Sequence, residues 1–444
     1  MKILAILLGK LAIKLGKLLH RGSSMPGSIA LKIDKHLLSK FKLPKTIIAV
    51  TGSSGKGSTS SIIAAVYRKM GYSVVHNFSG SNLTPGITTT LIENCSITGK
   101  VDADIFVFEM DERFAKFVFP VVKPTHIVIT NITRDQPPRQ GHFDLVYEEI
   151  KKALPIRSHL ILNGDDPYSL KFNLQNEYET TYYTLDKTDF SYTKSLFRNL
   201  NICYCPKCNH KLDYEYYHFE TLGRYSCPNC DFKCPTSDFH ITGIDYPNFE
   251  MTINNNIKIK LQYDLLFSVY NTMAAFTLLS ILGLDQNEIA NCISSLNQDK
   301  KIYNHYLYNG HEVYILNNKN ENSTTFNQSL LFTKRFKGSK TIVIGWKEIS
   351  RRYNFDDLSW LYDIDFELLK DCNVENIVCA GPQAYDIATR IELAGFDKSI
   401  IHVFSNLQLS KPTVDKFNSK YIFGILNFDY VEPFKTLFYK EDEQ

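Results

Sequence analysis

The 444-residue sequence has no surplus of charge of either sign: 50 basic residues face 47 acidic ones, a formal net charge of +3. A protein that grips nucleic acid through its phosphates needs a basic face, so no nucleic-acid partner is expected. Long apolar runs are also lacking. A membrane span needs about twenty consecutive apolar residues, whereas the N-terminal run extends only from Ile3 to Gly9 before Lys10, Lys14 and Lys17 interrupt it. The same stretch lacks the small-residue cleavage site of a secretory signal. It reads instead as a basic amphipathic helix, either packed on the domain that follows or resting on an anionic membrane face. With no other segment able to cross a bilayer, the expected location is the cytoplasm, with the inner face of the plasma membrane left open.

What is present is more informative. The length suits two or three domains, and 44% hydrophobic residues with 13% aromatics can fill real cores. Six of the ten cysteines, Cys203, Cys205, Cys208, Cys227, Cys230 and Cys234, fall within 32 residues. Cys205-Pro-Lys-Cys208 and Cys227-Pro-Asn-Cys230 are two C-x-x-C turns separated by 18 residues, the spacing of a zinc ribbon. Four thiolates close a tetrahedral site with no open position, so the ion is structural. A disulfide framework is the alternative, and a cytoplasmic setting argues against it. Cys203 and Cys234 read as spare thiols, and Cys95, Cys292, Cys372 and Cys379 as core residues.

Thr46-Ile-Ile-Ala-Val-Thr-Gly-Ser-Ser-Gly-Lys-Gly-Ser-Thr59 carries the strongest functional signal. A β-branched apolar run ends at Val50, a glycine-rich turn follows, and Ser60 to Met70 read as a helix. This order aims backbone N–H groups and the positive helix end at one point, where a phosphate can sit. Gly52, Ser53, Ser54, Gly55, Lys56, Gly57, Ser58 and Thr59 form the expected cradle. Lys56 supplies charge for the outer phosphates, and a hydroxyl from Ser58 or Thr59 a ligand for Mg²⁺. Val50 stands where the first glycine of G-x-x-x-x-G-K-[ST] would be. ATP is the expected nucleotide, against the plainer reading of a Gly-Ser loop without one.

Ile105–Glu109, Thr125–Asn131 and His159–Asn163 read as buried strands alternating with helices such as Phe143–Leu154, a βαβ pattern with a parallel sheet. Lys56, Glu109 and Asn131 fall at the carboxyl ends of strands, where such sheets bind ligands. Strand-like runs around Phe249–Leu261 and a helix from Tyr270 to Leu282 follow. Beyond a boundary near Asn297 a second α/β unit begins, with strands at Thr341–Gly345, Asn376–Gly381 and Tyr421–Leu426. Between the first two lies the acidic segment Asp356–Glu367, which reads either as a solvated turn or as a functional surface.

Val50-Thr-Gly-Ser-Ser-Gly-Lys56, Phe108-Glu-Met-Asp-Glu112, Thr130-Asn-Ile-Thr-Arg-Asp-Gln136, Leu162-Asn-Gly-Asp-Asp-Pro167 and Val269-Tyr-Asn271 resemble, in order, the motifs of the Mur ligase superfamily. The ribbon after the Asn-Gly-Asp-Asp-Pro turn, the opening Arg21–Lys32 and the segment Asp357–Glu367 resemble its MurT family. The resemblance implies a Mur ligase architecture of class α/β. Residues 1–44 are a lead-in segment, and 45–297 a central P-loop ATPase domain with a parallel sheet and a ribbon inserted at about 201–236. Residues 298–444 are a C-terminal Rossmann-like α/β domain.

The resemblance also implies chemistry. Enzymes of this family phosphorylate the α-carboxylate of D-glutamate in the lipid II stem peptide, and ammonia from a GatD-type glutaminase displaces phosphate to leave D-isoglutamine. Lys56 would hold the phosphates, Glu109 and Ser58 the Mg²⁺, Asn271 would lie near the adenine, and Cys205, Cys208, Cys227 and Cys230 would hold Zn²⁺. Asp357 would complete the catalytic triad of the partner glutaminase. The sequence departs from the family pattern in three places. Ser53 and Ser54 precede Gly55 and Gly57 is inserted before Ser58, as in folylpolyglutamate synthetases; Asn297–Lys301 replaces a Gly-Arg-Gln-Glu motif; and Pro137–His142 replaces an Asp-Arg-x-Gly-Glu pattern. A stand-alone amino-acid ligase and a nucleotide-binding scaffold remain as alternatives, although neither explains the ribbon and the acidic segment together with Lys56 and Glu109.

Overall fold

The computed structural model describes residues 1–18, 24–77, 81–133, 142–198, 203–263, 265–297, 303–316, 322–347 and 358–439. The chain divides into two compact units. The first comprises residues 1–133, 143–193 and 202–296, and the second residues 134–142, 194–201 and 297–444.

The strands of the first unit are β1 (Thr46–Thr51), β2 (Val74–His76), β3 (Ile105–Glu109), β4 (His126–Ile129), β5 (His159–Asn163), β6 (Thr180–Leu185), β7 (Asp213–Phe219), β8 (Leu222–Ser226), β9 (Phe239–Asp245), β10 (Glu250–Ile253) and β11 (Ile257–Lys260). Its helices are α1 (Lys2–Leu18), α2 (Met25–Ile33), α3 (Lys56–Lys69), α4 (Thr84–Glu93), α5 (Ala115–Val122), α6 (Phe143–Ala153), α7 (Leu266–Ile281) and α8 (Gln286–Ser294). All strands except β7 and β8 join one nine-stranded sheet in the order β11-β10-β9-β6-β5-β4-β1-β3-β2. It is parallel from β2 to β9, and β10 and β11 add an antiparallel hairpin.

Both faces of this sheet are buried, which explains the unbroken apolar run of β1. Ile47 and Ala49 pack into a core shared with α1, α2, α4, α5 and α6. Ile48 and Val50 point the other way, into a core shared with α3, α7 and α8. The helix after the phosphate loop begins at Lys56, earlier than the Ser60 read from the sequence, so Gly57 sits within its first turn.

The second unit contains β12 (Tyr303–Tyr308), β13 (His311–Leu316), β14 (Lys340–Gly345), β15 (Val374–Ala380), β16 (Ile401–Phe404) and β17 (Tyr421–Leu426), with α9 (Ser323–Lys334), α10 (Ala384–Leu393), α11 (Lys411–Val414) and α12 (Phe428–Phe438). Its sheet runs β12-β13-β17-β14-β15-β16 and is parallel except for the β12–β13 hairpin. That hairpin turns on Asn309-Gly310, both at positive φ (49° and 82°), the pairing that suits a two-residue hairpin turn. In the acidic segment, the described residues anchor their apolar side chains in the core and leave Ser359 and Tyr362 exposed, so this part is not a wholly solvated turn. Trp360 and Phe366 are buried, with ring centroids 5.4 Å from Trp346 and 5.5 Å from Phe326 respectively. The Arg390 guanidinium donates to the carbonyls of Leu361 (3.2 Å) and Ile364 (2.6 Å) and pairs with Glu367 (3.0 Å). Asp356 and Asp357 lie outside the described residues.

Candidate active site and thiolate centre

The phosphate loop leaves β1 and is held from the side by the chain that leaves β4. The Ser54 N–H and hydroxyl donate to Asn131 Oδ1 (3.1 and 3.2 Å), and Asn131 Nδ2 donates back to the Ser54 carbonyl (3.1 Å). The Thr130 hydroxyl donates to the same carbonyl (2.6 Å). The Ser53 hydroxyl accepts from the Thr133 N–H (2.9 Å) and donates to the Thr133 carbonyl (3.1 Å). Each bond engages a side chain or carbonyl, and together they fix the path of the loop.

Gly55 caps α3 in the left-handed region (φ 80°), and a Cβ there would lie 2.2 Å from Asn271 Oδ1. Only glycine fits both the turn and this approach. The side chain assigned from the sequence to the adenine therefore lies against the phosphate loop itself, brought there by α7. Asn271 Nδ2 and Thr59 Oγ1 are buried and have no hydrogen-bond partner among the described residues. A buried donor without a partner is costly, so this cradle contains polar groups that a phosphate-bearing ligand would satisfy.

A cluster of charge surrounds the start of α3. Lys56 Nζ donates to the carbonyls of Gly52 and Ser53 and pairs with Glu112 (3.1 Å), a carboxylate that is 3% exposed. Burial works against the Lys56 charge, but Glu112, Glu109 and Asp111 outweigh it and hold its pKa above the ordinary value. Asp111 is likewise buried, yet a bidentate pair with Arg113 (3.1 and 2.9 Å) keeps its carboxyl below the usual range. Glu109 ends β3. Asn77 continues the ladder beyond β2 by bonding its N–H and carbonyl (both 2.9 Å), and Asn82 donates to its Oε1 (2.8 Å). A Cβ on Gly57 would come within 3.1 Å of Glu109 Oε2, so the inserted glycine allows this carboxylate to approach the first turn of α3, where Ser58 also lies.

For MgATP these residues fit. A helix N-terminus with a braced loop, a cation kept charged, a carboxylate at the first helical turn and unpartnered buried polar atoms together match a triphosphate and its metal. Lys56, Glu109 and Gly52 to Thr59 come together in one place, and Asn271, which the sequence reading tied to the adenine, joins them at Gly55. Glu112, Asp111, Arg113, Asn77, Asn82 and Thr130 had no assigned role. The Phe-Glu-Met-Asp-Glu run did point to that place, but spacing alone could not say which of its three carboxylates would meet Lys56.

The thiolate centre is separate. The Sγ atoms of Cys205, Cys208, Cys227 and Cys230 all lie within 4.8 Å of one another, with Cys205–Cys230 at 3.6 Å and Cys208–Cys227 at 3.4 Å. Zn–S bonds of about 2.3 Å in a tetrahedron set the S–S edge at about 3.8 Å, so the donor set fits zinc. The two turns repeat one design: the N–H groups of Lys207 and Asn229 each donate to the first thiolate of their own turn (both 3.4 Å). None of the ten cysteines forms a disulfide.

The ribbon docks on the Gly-Asp-Asp-Pro turn through Asp165. The Asp165 carboxyl, 1% exposed, accepts from the Leu185 N–H (2.7 Å) and the Tyr270 hydroxyl (2.9 Å). Its carbonyl accepts from the Gly223 N–H (3.0 Å), and the Tyr225 hydroxyl bonds the Gly164 carbonyl (3.0 Å). Burial pushes the carboxyl up to about 8.

The sequence matches the Mur ligase middle domain family over residues 50–279 and the MurT ligase C-terminal family over residues 320–424. The lipid II isoglutaminyl synthase (glutamine-hydrolyzing) subunit MurT of Staphylococcus aureus (strain COL) is 30% identical over 400 residues, covering 89% of each chain. The subunit of the same name from Streptococcus pneumoniae (strain ATCC BAA-255 / R6) is 27% identical over 94% of this chain and 93% of its own. Among solved structures, a pseudomurein peptide ligase type C from Methanothermus fervidus shares the fold, with a TM-score of 0.67 at 20% identity over 91% of this chain and 80% of that one.

Proposed function

Because the chain belongs to the MurT family of the Mur ligases, and so to a class of ATP-dependent ligases, we propose that it amidates the D-glutamate α-carboxylate of the lipid II stem peptide to D-isoglutamine. A carboxylate is a poor electrophile. Its oxygen attacks the γ-phosphorus of ATP, the bond to the bridging oxygen breaks and ADP leaves, giving an acyl phosphate. Ammonia then attacks the acyl carbon, phosphate departs, and the nitrogen gives up its surplus proton. The observation that carries this reading is the similarity to MurT subunits over 89% of the chain, together with a braced glycine-rich loop beside a Lys56 that Glu112, Glu109 and Asp111 hold charged against burial.

Lys56 and the backbone N–H groups of the loop hold the phosphates and offset the charge that crowds there during transfer. Ser58 and Glu109 hold Mg²⁺, which supplies further neutralisation. Asn271 Nδ2 faces the loop and gains a partner when phosphate binds. The four thiolates hold a structural zinc that takes no part in the transfer.

Ammonia comes from a GatD-type glutaminase partner, and Asp357 orients the His of that partner's Cys–His pair and stabilises its imidazolium. The test is reconstitution with such a glutaminase, lipid II, MgATP and glutamine, reading the product for replacement of the carboxylate by an amide. Asp357→Asn should leave the complex and ATP binding intact, lower glutamine-driven amidation by about 10⁴-fold if it acts as a triad Asp, and be bypassed by added ammonia. An Asp357→Asn complex that hydrolyses glutamine at the wild-type rate would remove the residue from the mechanism. Transfer of an amino acid in place of ammonia would favour the stand-alone ligase.

A further inference from the structure

Helix α1 is amphipathic in an unusual sense: both of its faces are apolar, and they differ in the size of their side chains. The face turned to the protein is built from small residues, with Ala5, Gly9, Ala12 and Gly16 buried beside Ile6. A Cβ on Gly9 would come within 2.8 Å of Ile92 Cδ1, so the backbone of α1 lies directly on α4. Lys17 pairs with Glu93 at 2.7 Å and pins the end of the helix to the same neighbour. The opposite face carries Leu4, Leu7, Leu8, Leu11, Leu15 and Leu18, between 38% and 78% exposed. A contiguous exposed face of large aliphatic side chains marks a surface that meets something apolar.

Charge identifies what that is. Lys2, Lys10, Lys14 and Lys17 lie on α1, and the helix contains no acidic residue. Lys10, Lys14 and Lys17 fall along one flank of the leucine face at helical spacing. Leucines facing outward with lysines beside them, whose long stems let the ammonium reach the headgroup level, are the pattern of a helix lying in a membrane interface. The spacing of Leu4, Leu8, Leu11, Leu15 and Leu18 would also suit a coiled-coil seam. That seam would need its neighbouring positions Ala5 and Ala12, which are already buried against the protein, to form holes for a partner's knobs. A second copy would also bring its lysines to a helix with no carboxylate to receive them.

We propose that α1 docks the protein on an anionic lipid bilayer, its leucine face entering the acyl boundary and its lysines meeting the headgroups. The proposal concerns binding alone and is independent of the reaction at the phosphate loop. Vesicle flotation of the full chain tests it, with phosphatidylcholine vesicles compared with vesicles that also contain phosphatidylglycerol. The wild-type protein should float with the anionic vesicles and be released by salt, which screens the headgroup attraction. Leu11→Glu/Leu15→Glu, on the exposed face, should abolish flotation while the melting temperature stays unchanged. Lys10→Gln/Lys14→Gln should weaken partitioning about fivefold per lysine removed. Two results would overturn the proposal: no flotation of the wild-type chain at low salt, or a concentration-dependent dimer in solution that the Leu11→Glu/Leu15→Glu variant converts to monomer.

Discussion

The glycine-rich loop and the four-cysteine ribbon belong to the same unit, and they answer one demand, polar atoms gathered where a charged guest would sit, in opposite ways. The loop is shaped by the rest of the protein. Thr130, Asn131 and Thr133 hold its serines, Asn271 closes against Gly55, and carboxylates from the chain after β3 keep Lys56 charged. The ribbon is shaped locally, by two turns that each donate one N–H to their own thiolate, around a small satellite core of Leu212, Tyr225 and Phe232. A guest that leaves at every turnover needs a site that survives its departure. A guest that stays can itself be part of the fold.

This contrast can be broken at three points. The largest effect is expected at Lys56. Lys56→Ala should lower ATP-dependent amidation by about 100- to 1,000-fold or more, and it removes a buried ion pair with Glu112, so a thermal melt must accompany the kinetics. Glu109→Gln, which keeps the Asn82 contact but loses the charge, should cut turnover without that stability loss. Near wild-type rates in either variant at saturating MgATP would show that the braced loop is not the phosphate site.

The second point is the ribbon. Purified protein should contain one zinc per chain, and Cys227→Ser should weaken zinc by more than the roughly 10- to 100-fold that losing an outer-shell partner costs. The ribbon should then become protease-sensitive, because metal binding there is folding free energy. Metal analysis that finds no zinc, or iron in its place, would overturn the assignment.

The smallest effect is at Asp165, where the ribbon meets the turn after β5. Its folded pKa, pushed up to about 8 by burial, exceeds the unfolded value near 4. The folded carboxyl holds its proton across a window in which the unfolded one has released it. Its contribution to stability is therefore complete below about pH 4 and is lost as the pH rises through about 8. Asp165→Asn keeps an acceptor for Leu185 and Tyr270 but does not titrate. It should gain on the wild type by at most about 1.4 kcal/mol per pH unit through that window, read from paired melting curves. Parallel curves would place Asp165 in a more polar setting than the burial implies.

Much of this could be read from residue order, wherever a local pattern has one physical solution. Alternating strands and helices gave the parallel sheets, and two C-x-x-C turns gave the thiolate cluster because each turn brings its own pair together. Other features were not legible. Lys56 could pair with any carboxylate of Glu109, Asp111 or Glu112, and only the path of the chain after β3 selects Glu112. Asn271 was tied to the adenine, and its approach to Gly55 depends on the side on which α7 packs, which no local pattern shows. The acidic segment read either as a solvated turn or as a functional surface, and the burial of Trp360 and Phe366, which anchors its described part in the core, did not show in its charges. The β12–β13 hairpin did carry a signal in Asn309-Gly310 that the strand pattern alone passed over.

The position of the ribbon in the chain also bears on how the protein folds. Strands β6 and β9 are adjacent in the sheet, yet residues 186–238 separate them, and the two C-x-x-C turns lie inside that excursion. Closing a long loop before its contacts can form is an entropic barrier that slows non-local pairing. An ion joining Cys205 to Cys230 would shorten the chain that must be closed, so zinc held there would act on the rate at which β9, β10 and β11 complete the sheet as well as on the strength of the finished fold. Refolding followed with and without the ion should show a slower final phase in its absence, and equal rates would confine the metal to the finished structure.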